Sequence, residues 1–531
     1  MRNNAGIWVP VLHAHLPFVR HPEYVDMMEE RWLYEAITET YIPLLDVFQR
    51  LSDDKIKFRL TLTITPSLAN MLADSLLMKR YLNYINRLVD LSEKEVLRTK
   101  GQAKYELLSR IYRDKFYKIR SIFEKWNYRL LNAFRYFQDS GYLEIITCCA
   151  THAYLPLLAN CKEAVEAQIK MAVTDYERHF KCRPKGIWLA ECAYYEGVDE
   201  VLKRNGLSYF FVDTHGITNA NPRPSYATYA PIDCGSGVFA FGRDPETGRQ
   251  VWSSEVGYPG DPNYRDFYRD IGFDLDEEYI GPYIHESGIR LNTGIKYHRI
   301  TGKNIADKEV YDYSMAMQKA WEHANHFVFC RERQVAAVAP KMRRRPVIVS
   351  PYDCELFGHW WFEGPEFLHN VLRKMSLEGQ YTRLGTPSDY ITIYSRNEKA
   401  VPSMSSWGED GYSSVWLNEK NAWIYPHMHK ATERMIRLAN EFYDASGLIQ
   451  RALNQAAREV MLLQSSDWAF IMKTETTVGY AKQRVKDHVF RFNKLYESIL
   501  TGDVNVLWLS EVESRDNIFP EMDFRVFKKQ E

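Results

Sequence analysis

This chain lacks any excess of charge, any long apolar run and any cysteine spacing that would mark a metal or disulfide framework. Its 531 residues carry 68 Lys+Arg against 69 Asp+Glu, a formal net charge of -1. That balance supplies no long-range field to draw in nucleic acid or an anionic membrane, so neither is an expected partner and a neutral substrate fits better. The eight cysteines form no C-x-x-C pair, which argues against a zinc ribbon and leaves reduced thiols in a cytoplasmic protein as the expectation. The first residues lack a signal-peptide pattern because His13 and His15 interrupt the apolar stretch, and no run approaches the roughly 18 residues of a membrane span. Internal repeats and low-complexity segments are also missing. What is plentiful is aromatic: 13 Trp and 35 Tyr, side chains whose flat apolar faces and polar tips suit half-wet surfaces such as those that hold sugar rings.

Short apolar runs alternate with longer amphipathic stretches, the pattern of a parallel sheet wrapped by helices. Strands are predicted at Ile7–Leu16, Lys57–Thr65, Leu143–Cys148, Gly186–Glu191, Tyr209–Asp213 and Pro346–Asp353. Helices are predicted at Glu30–Leu51, Ser67–Arg98 (with Ser67 as its cap) and Glu163–Phe180. The alternation lapses after Asp213 into long Pro-, Gly- and Tyr-rich stretches, and from about residue 419 only helical patterns remain, at Asn421–Tyr443, Leu448–Leu463 and Val478–Leu500. The expected organisation is a catalytic α/β domain over residues 1–398, with an insertion or lid at roughly 195–255, followed by a helical domain over 399–531 that completes the substrate groove.

Each predicted strand ends in polar residues: His13 and His15, His152, Glu191, Asp213 and His215, Asp353. Carboxyl ends of barrel strands collect chemistry. Glu191 and Asp353 are a pair of carboxylates suited to glycoside cleavage, one attacking the anomeric carbon and the other protonating the leaving oxygen, with the two roles exchangeable at this stage. Trp360, Trp361 and Glu355 stand ready to keep Asp353 protonated. Alternatively, Asp353 caps a following helix and Glu191 is a solvated strand end. The HxH pair, joined by His152 and Asp353, is also the pattern of a metal-dependent deacetylase or amidohydrolase. Trp407, Tyr412 and Trp416 lie on a Gly- and Ser-bracketed stretch that suits either sugar platforms or an interdomain seam.

Five regions in order, HAHLPFV (13–19), EIITCCATHAYLPLL (144–158), GIWLAECAY (186–194), SPYDCELFGHWWFEGPEFL (350–368) and SSWGEDGYSSVWLN (405–418) with SSDWAFIM (465–472), make the chain resemble the family-57 glycoside hydrolases, most closely their α-1,4-glucan branching members. The resemblance implies a distorted (β/α)7 barrel with an inserted segment and a C-terminal all-α helical domain. It further implies retaining chemistry on an α-glucan, with α-amylase-like hydrolysis as the alternative outcome, and no metal or other cofactor. It casts Glu191 as nucleophile and Asp353 as general acid/base, and His13, His152, Arg265, Trp407, Trp416 and Asp467 as substrate-binding positions. Branching members rely on a mobile loop whose tyrosine excludes water. The corresponding stretch here is expected within Asn219–Val238, where the tip APIDCGSGV has Asp233 and no tyrosine.

Overall fold

The computed structural model describes residues 6–253, 256–285, 287–302 and 304–529, without the side chain of Ile305. Ten strands form one curled sheet: β1 (Gly6–Ala14), β2 (Leu60–Ile64), β3 (Leu143–Cys148), β4 (Gly186–Trp188), β5 (Tyr209–Val212), β6 (Ile232–Asp233), β7 (Phe239–Gly242), β8 (Val347–Asp353), β9 (Thr382–Leu384) and β10 (Glu398–Lys399). Their order is β10-β6-β7-β5-β4-β3-β2-β1-β8, with β9 beside β1, and only β6 runs antiparallel to its neighbour β7. The sheet closes on itself where Arg243, just past β7, bridges in parallel to Val349 of β8 and the Asp244 N–H donates to the Val349 carbonyl. Strands β1, β2, β3, β4, β5, β7 and β8 therefore make the distorted seven-stranded barrel. All nine residues of β1 are buried, as expected for a central parallel strand covered on both faces.

Six of the seven barrel strands fall where the sequence pattern puts them. The seventh, β7, is the four-residue run FAFG inside the Pro/Gly-rich stretch, too short to stand out. The helix expected from Ser67 begins one turn earlier and breaks in two: Thr65, not Ser67, accepts from the Leu68 N–H to cap Pro66–Ala73, and Asp74 caps Ser75–Arg98. Pro66 at the first helical position makes the residue before it the natural cap. The helical stretch Glu30–Asp53 contains a π-turn at Ile37–Tyr41, the kind of local underwinding that recurs at functional sites. Gly358 packs against that turn with φ +117, and a Cβ there would stand 1.9 Å from the Glu39 carbonyl oxygen, so only glycine fits.

The Asn219–Val238 stretch is not a lid. Its last part is the hairpin of β6 and β7, whose turn is fastened by Gly235 and Gly237 N–H groups donating to Asp233 Oδ1 at 2.8 and 3.2 Å. Because that turn precedes β7, it lies at the amino end of the barrel, opposite the strand ends that hold the site. Tyr226 and Tyr229 accept from the Arg343 N–H and from Gln334 Nε2 on the outer layer. Ser254 and Glu255, at the end of the expected 195–255 insertion, lie outside the described residues. From Ile424 onward the described chain is helical, with helices Ile424–Glu441, Gly447–Leu463, Ser466–Thr474, Val478–Thr501 and Val506–Arg515. Among the described residues no helix is long and apolar enough to cross a membrane.

Candidate functional site

The carboxyl ends of the barrel strands open into a cleft of about 670 Å3 lined by His13, His15, His152, Glu191, Asp353 and Glu355 on its floor. Strand register accounts for part of this convergence: His13 of β1 sits directly beside Asp353 of β8 and Thr63 of β2. Glu191 and Cys192 follow β4 in a left-handed backbone (φ 63 and 51), as does His152 after β3 (φ 57). Such conformations cost on the order of 1–3 kcal/mol for non-glycine residues and persist where surrounding structure holds them, here at two cleft side chains.

A single hydrogen-bonded chain fixes the proton positions around Glu191. Ser466 Oγ donates to Glu191 Oε1 at 3.1 Å, so it accepts from His152 Nδ1 at 2.8 Å; His152 Nε2 then accepts from His13 Nε2 at 3.0 Å. This order requires His152 neutral, since its Nε2 accepts, and places a proton on His13 Nε2. Burial drives both well below the ordinary histidine range, with neighbouring histidine charge adding to it, and His13 Nδ1 has no hydrogen-bond partner among the described residues. Trp407 Nε1 donates to the other oxygen of Glu191, Oε2, at 2.8 Å. A second chain runs beside the first. His15 pairs with Asp467 at 3.0 Å and its N–H donates to Glu355 Oε1, which also accepts from Tyr41 OH at 2.5 Å on the π-turn. Burial opposes both charges of the His15–Asp467 pair, yet each holds the other ionised: His15 is raised and Asp467 is lowered to about 2.

Three carboxyls, Glu191, Asp353 and Glu355, are each pushed up to about 7, burial being the largest cause; for Asp353 the neighbouring Glu191 charge comes next. One pair sharing a cleft cannot readily ionise twice. Glu191 receives two donors, whereas among the described residues no group donates to the Asp353 carboxyl, so the charge settles on Glu191 and the proton on Asp353. The geometry thus distinguishes an ionised carboxyl from a protonated one, where the residues read alone left the two interchangeable.

Because the folded carboxyl of Asp353 titrates above its unfolded value, its stability contribution is complete below about pH 4 and is lost as pH rises through 7. Asp353→Asn is therefore expected to raise the unfolding temperature at pH 8 but not at pH 4. Since part of the side chain faces the cleft, the gain should be about 1–2 kcal/mol. Thermal unfolding of both proteins at the two pH values checks this; an equal change at both would refute it.

The other predicted positions divide. His13, His152, Trp407, Trp416 and Asp467 line the cleft, but Trp416 is fully buried and stacked on Tyr154 at 4.5 Å, not an open platform. Arg265 is not at the cleft at all. It is buried with its guanidinium over Phe362 at 4.2 Å, donating to Tyr112 OH and the Gly294 carbonyl, so it works as an internal strut. His215 turns away to the Gly411 carbonyl and Tyr412 packs edge-on to it. The histidines of the alternative metal reading are hydrogen-bonded, His13 to His152 and His15 to Asp467, and ligand atoms of His15, His152 and Asp467 lie within 4.8 Å of one another. Sequence reasoning missed Arg243, Trp252, Phe470 and Lys473 in the cleft wall, and the donor Ser466. Arg243 was legible only as the residue after an unrecognised strand; Ser466 adjoined the noted Asp467 without any signal of its own.

Comparison with known proteins places these features in a family context. The model of glycosyl hydrolase family 57 matches residues 10–405, and that of the 1,4-alpha-glucan branching enzyme C-terminal region matches residues 427–527. The chain is 37% identical to a 1,4-alpha-glucan branching enzyme of Thermococcus kodakarensis, over 96% of this chain and 76% of the relative. Among solved structures it is similar to the α-amylase AmyC of Thermotoga maritima, with a TM-score of 0.93 and 48% identity over 99% of this chain and 100% of that one. It is likewise similar to a branching enzyme of this family from Pyrococcus horikoshii, with a TM-score of 0.89 and 34% identity over 99% and 97% of the two chains.

Proposed function

The chain belongs to glycosyl hydrolase family 57, and from that premise we propose that it is a 1,4-α-glucan branching enzyme working by retaining double displacement. The observation that carries this reading is the unequal pair in the cleft: Glu191 held ionised by Trp407 and Ser466, and Asp353 left protonated. Glu191 attacks the anomeric carbon as Asp353 gives its proton to the departing 4-oxygen; Asp353 then takes the proton of an incoming 6-hydroxyl, which displaces Glu191 and forms an α-1,6 link. Two inversions return the original anomer. His13, His152 and the His15–Asp467 pair supply polar groups for the hydroxyls of the bound sugar, and Trp252, Trp360 and Trp407 provide apolar faces for its ring.

A second reading, hydrolysis by an α-amylase, is favoured by two observations: the likeness to AmyC, and a cleft whose lining, among the described residues, includes no tyrosine. Water would then replace the 6-hydroxyl in the second step. Incubation with amylose in the presence of a chelator, followed by proton NMR and a reducing-end assay, separates the two. New α-1,6 signals without matching reducing ends are expected; reducing ends alone would replace branching by hydrolysis, and neither product would end both readings. Eight unpaired cysteines support a cytoplasmic location, where the proposed substrate is a glycogen-like glucan.

A further inference from the structure

A second cavity, of about 660 Å3, shares no lining residue with the cleft. It lies among helices Ser75–Arg98 and Leu130–Asp139 and the last turn of Lys162–Phe180. We propose that it binds a small phosphate ester that carries a ring, such as a nucleotide or a sugar phosphate. Lys79, Arg129, Arg135, Arg178 and Lys181 line it and no carboxylate does. In a chain with 68 basic and 69 acidic side chains, an all-basic lining is a strong local departure from the average. Arg135 and Arg178 are neutralised by Asp139 at 3.3 Å and Asp175 at 3.0 Å. Lys79, Arg129 and Lys181 have no ion-pair partner among the described residues, so their charge is available to a ligand. Concave walls focus such a field on an anion.

Charge alone would suit any polyanion, but the floor is apolar. Leu72, Met78 and Leu131 are buried beneath the cations, and Leu82 completes the surface. At the rim, Asn127 and Tyr128 take consecutive left-handed conformations (φ 51 and 62). The resulting turn leaves the Tyr128 ring 41% exposed, braced edge-on by Phe123 at 5.1 Å. A ligand using the whole cavity needs phosphate oxygens for the cations and a flat face for the floor and Tyr128, and the volume falls in the usual range of small-molecule sites.

Calorimetric titration of the full chain with ADP, glucose 1-phosphate and inorganic pyrophosphate tests the assignment. At least one ring-bearing ester is expected to bind saturably and more tightly than pyrophosphate. In the double variant Lys79→Glu/Arg129→Glu its affinity should fall by at least about tenfold, or ~1.4 kcal/mol, while turnover of amylose stays at the parent level and reports an intact fold. Lys79→Arg should keep binding. Absence of saturable binding, equal affinity in the charge-reversed variant, or pyrophosphate binding as tightly as both esters would each overturn it.

Discussion

Glu191→Ala is expected to lower turnover of amylose by about 10^4-fold or more, and Asp353→Ala by about 10^2–10^4-fold, without loss of fold. The larger effect belongs to Glu191 because in the proposed mechanism it makes the covalent bond, and its two donors, one to each oxygen, favour the ionised carboxylate. Azide distinguishes the two roles. On an aryl α-maltooligoside, whose leaving group departs without acid help, azide should rescue both variants. The Glu191 variant, lacking the covalent step, should yield the β-glucosyl azide by one inversion. The Asp353 variant still forms the enzyme-bound sugar and should yield the α-azide. Activity above a few per cent in either purified variant, or the opposite pairing of anomers, would reverse or abolish the assignment.

Trp407→Phe is expected to move the acid limb of the kcat/KM profile upward by about one to two pH units. The indole N–H bonds only usefully to the ionised Glu191, and a hydrogen bond to a charged group contributes about 1.5–3 kcal/mol, at about 1.4 kcal/mol per pH unit. Removing it raises a carboxyl already pushed up to about 7 by burial. More of the enzyme is then doubly protonated, and unable to attack, at the acid side of neutrality. The alkaline limb reports loss of the Asp353 proton and should move far less. Phenylalanine preserves the aromatic packing of this side chain against Trp188, so a purely steric role predicts an equal loss at every pH, and that result would sink the proposal. The two limbs belong to the coupled pair, and the expected signature is a narrowed bell.

Much of this arrangement was legible before any coordinates. Strands such as β3 and β8 are parallel runs buried at all but one residue, whose apolar length gives them away, and polar residues at their ends mark the site face. Glu191, Asp353, His13 and His152 were found for that reason. What failed did so for identifiable physical causes. Arg265 stands in a motif-like run of arginines and tyrosines, and nothing in spacing distinguishes a guanidinium lying over Phe362 from one facing solvent. Trp416 was left open as either a sugar platform or part of an interdomain seam because glycine and serine flank it; the stretch folds back, burying Trp416, and Tyr425 OH donates to the Trp416 carbonyl. The expected lid fell at the wrong end of the barrel because β7 went unrecognised: without that strand the direction of the chain through the loop is undefined. The division of labour between the two carboxyls came only with the family resemblance and was hidden from the residues alone, since Ser466 lies 275 positions from Glu191 and reaches it only through the folded helices.

That long reach sets an order of events during synthesis. Trp407 and Ser466, which settle the charge on Glu191, and Asp467, which does so for His15, are made after every barrel strand. The barrel strands precede these residues in the chain, so the groups that orient Glu191 and His15 come into place only when the late helices pack onto a sheet already made.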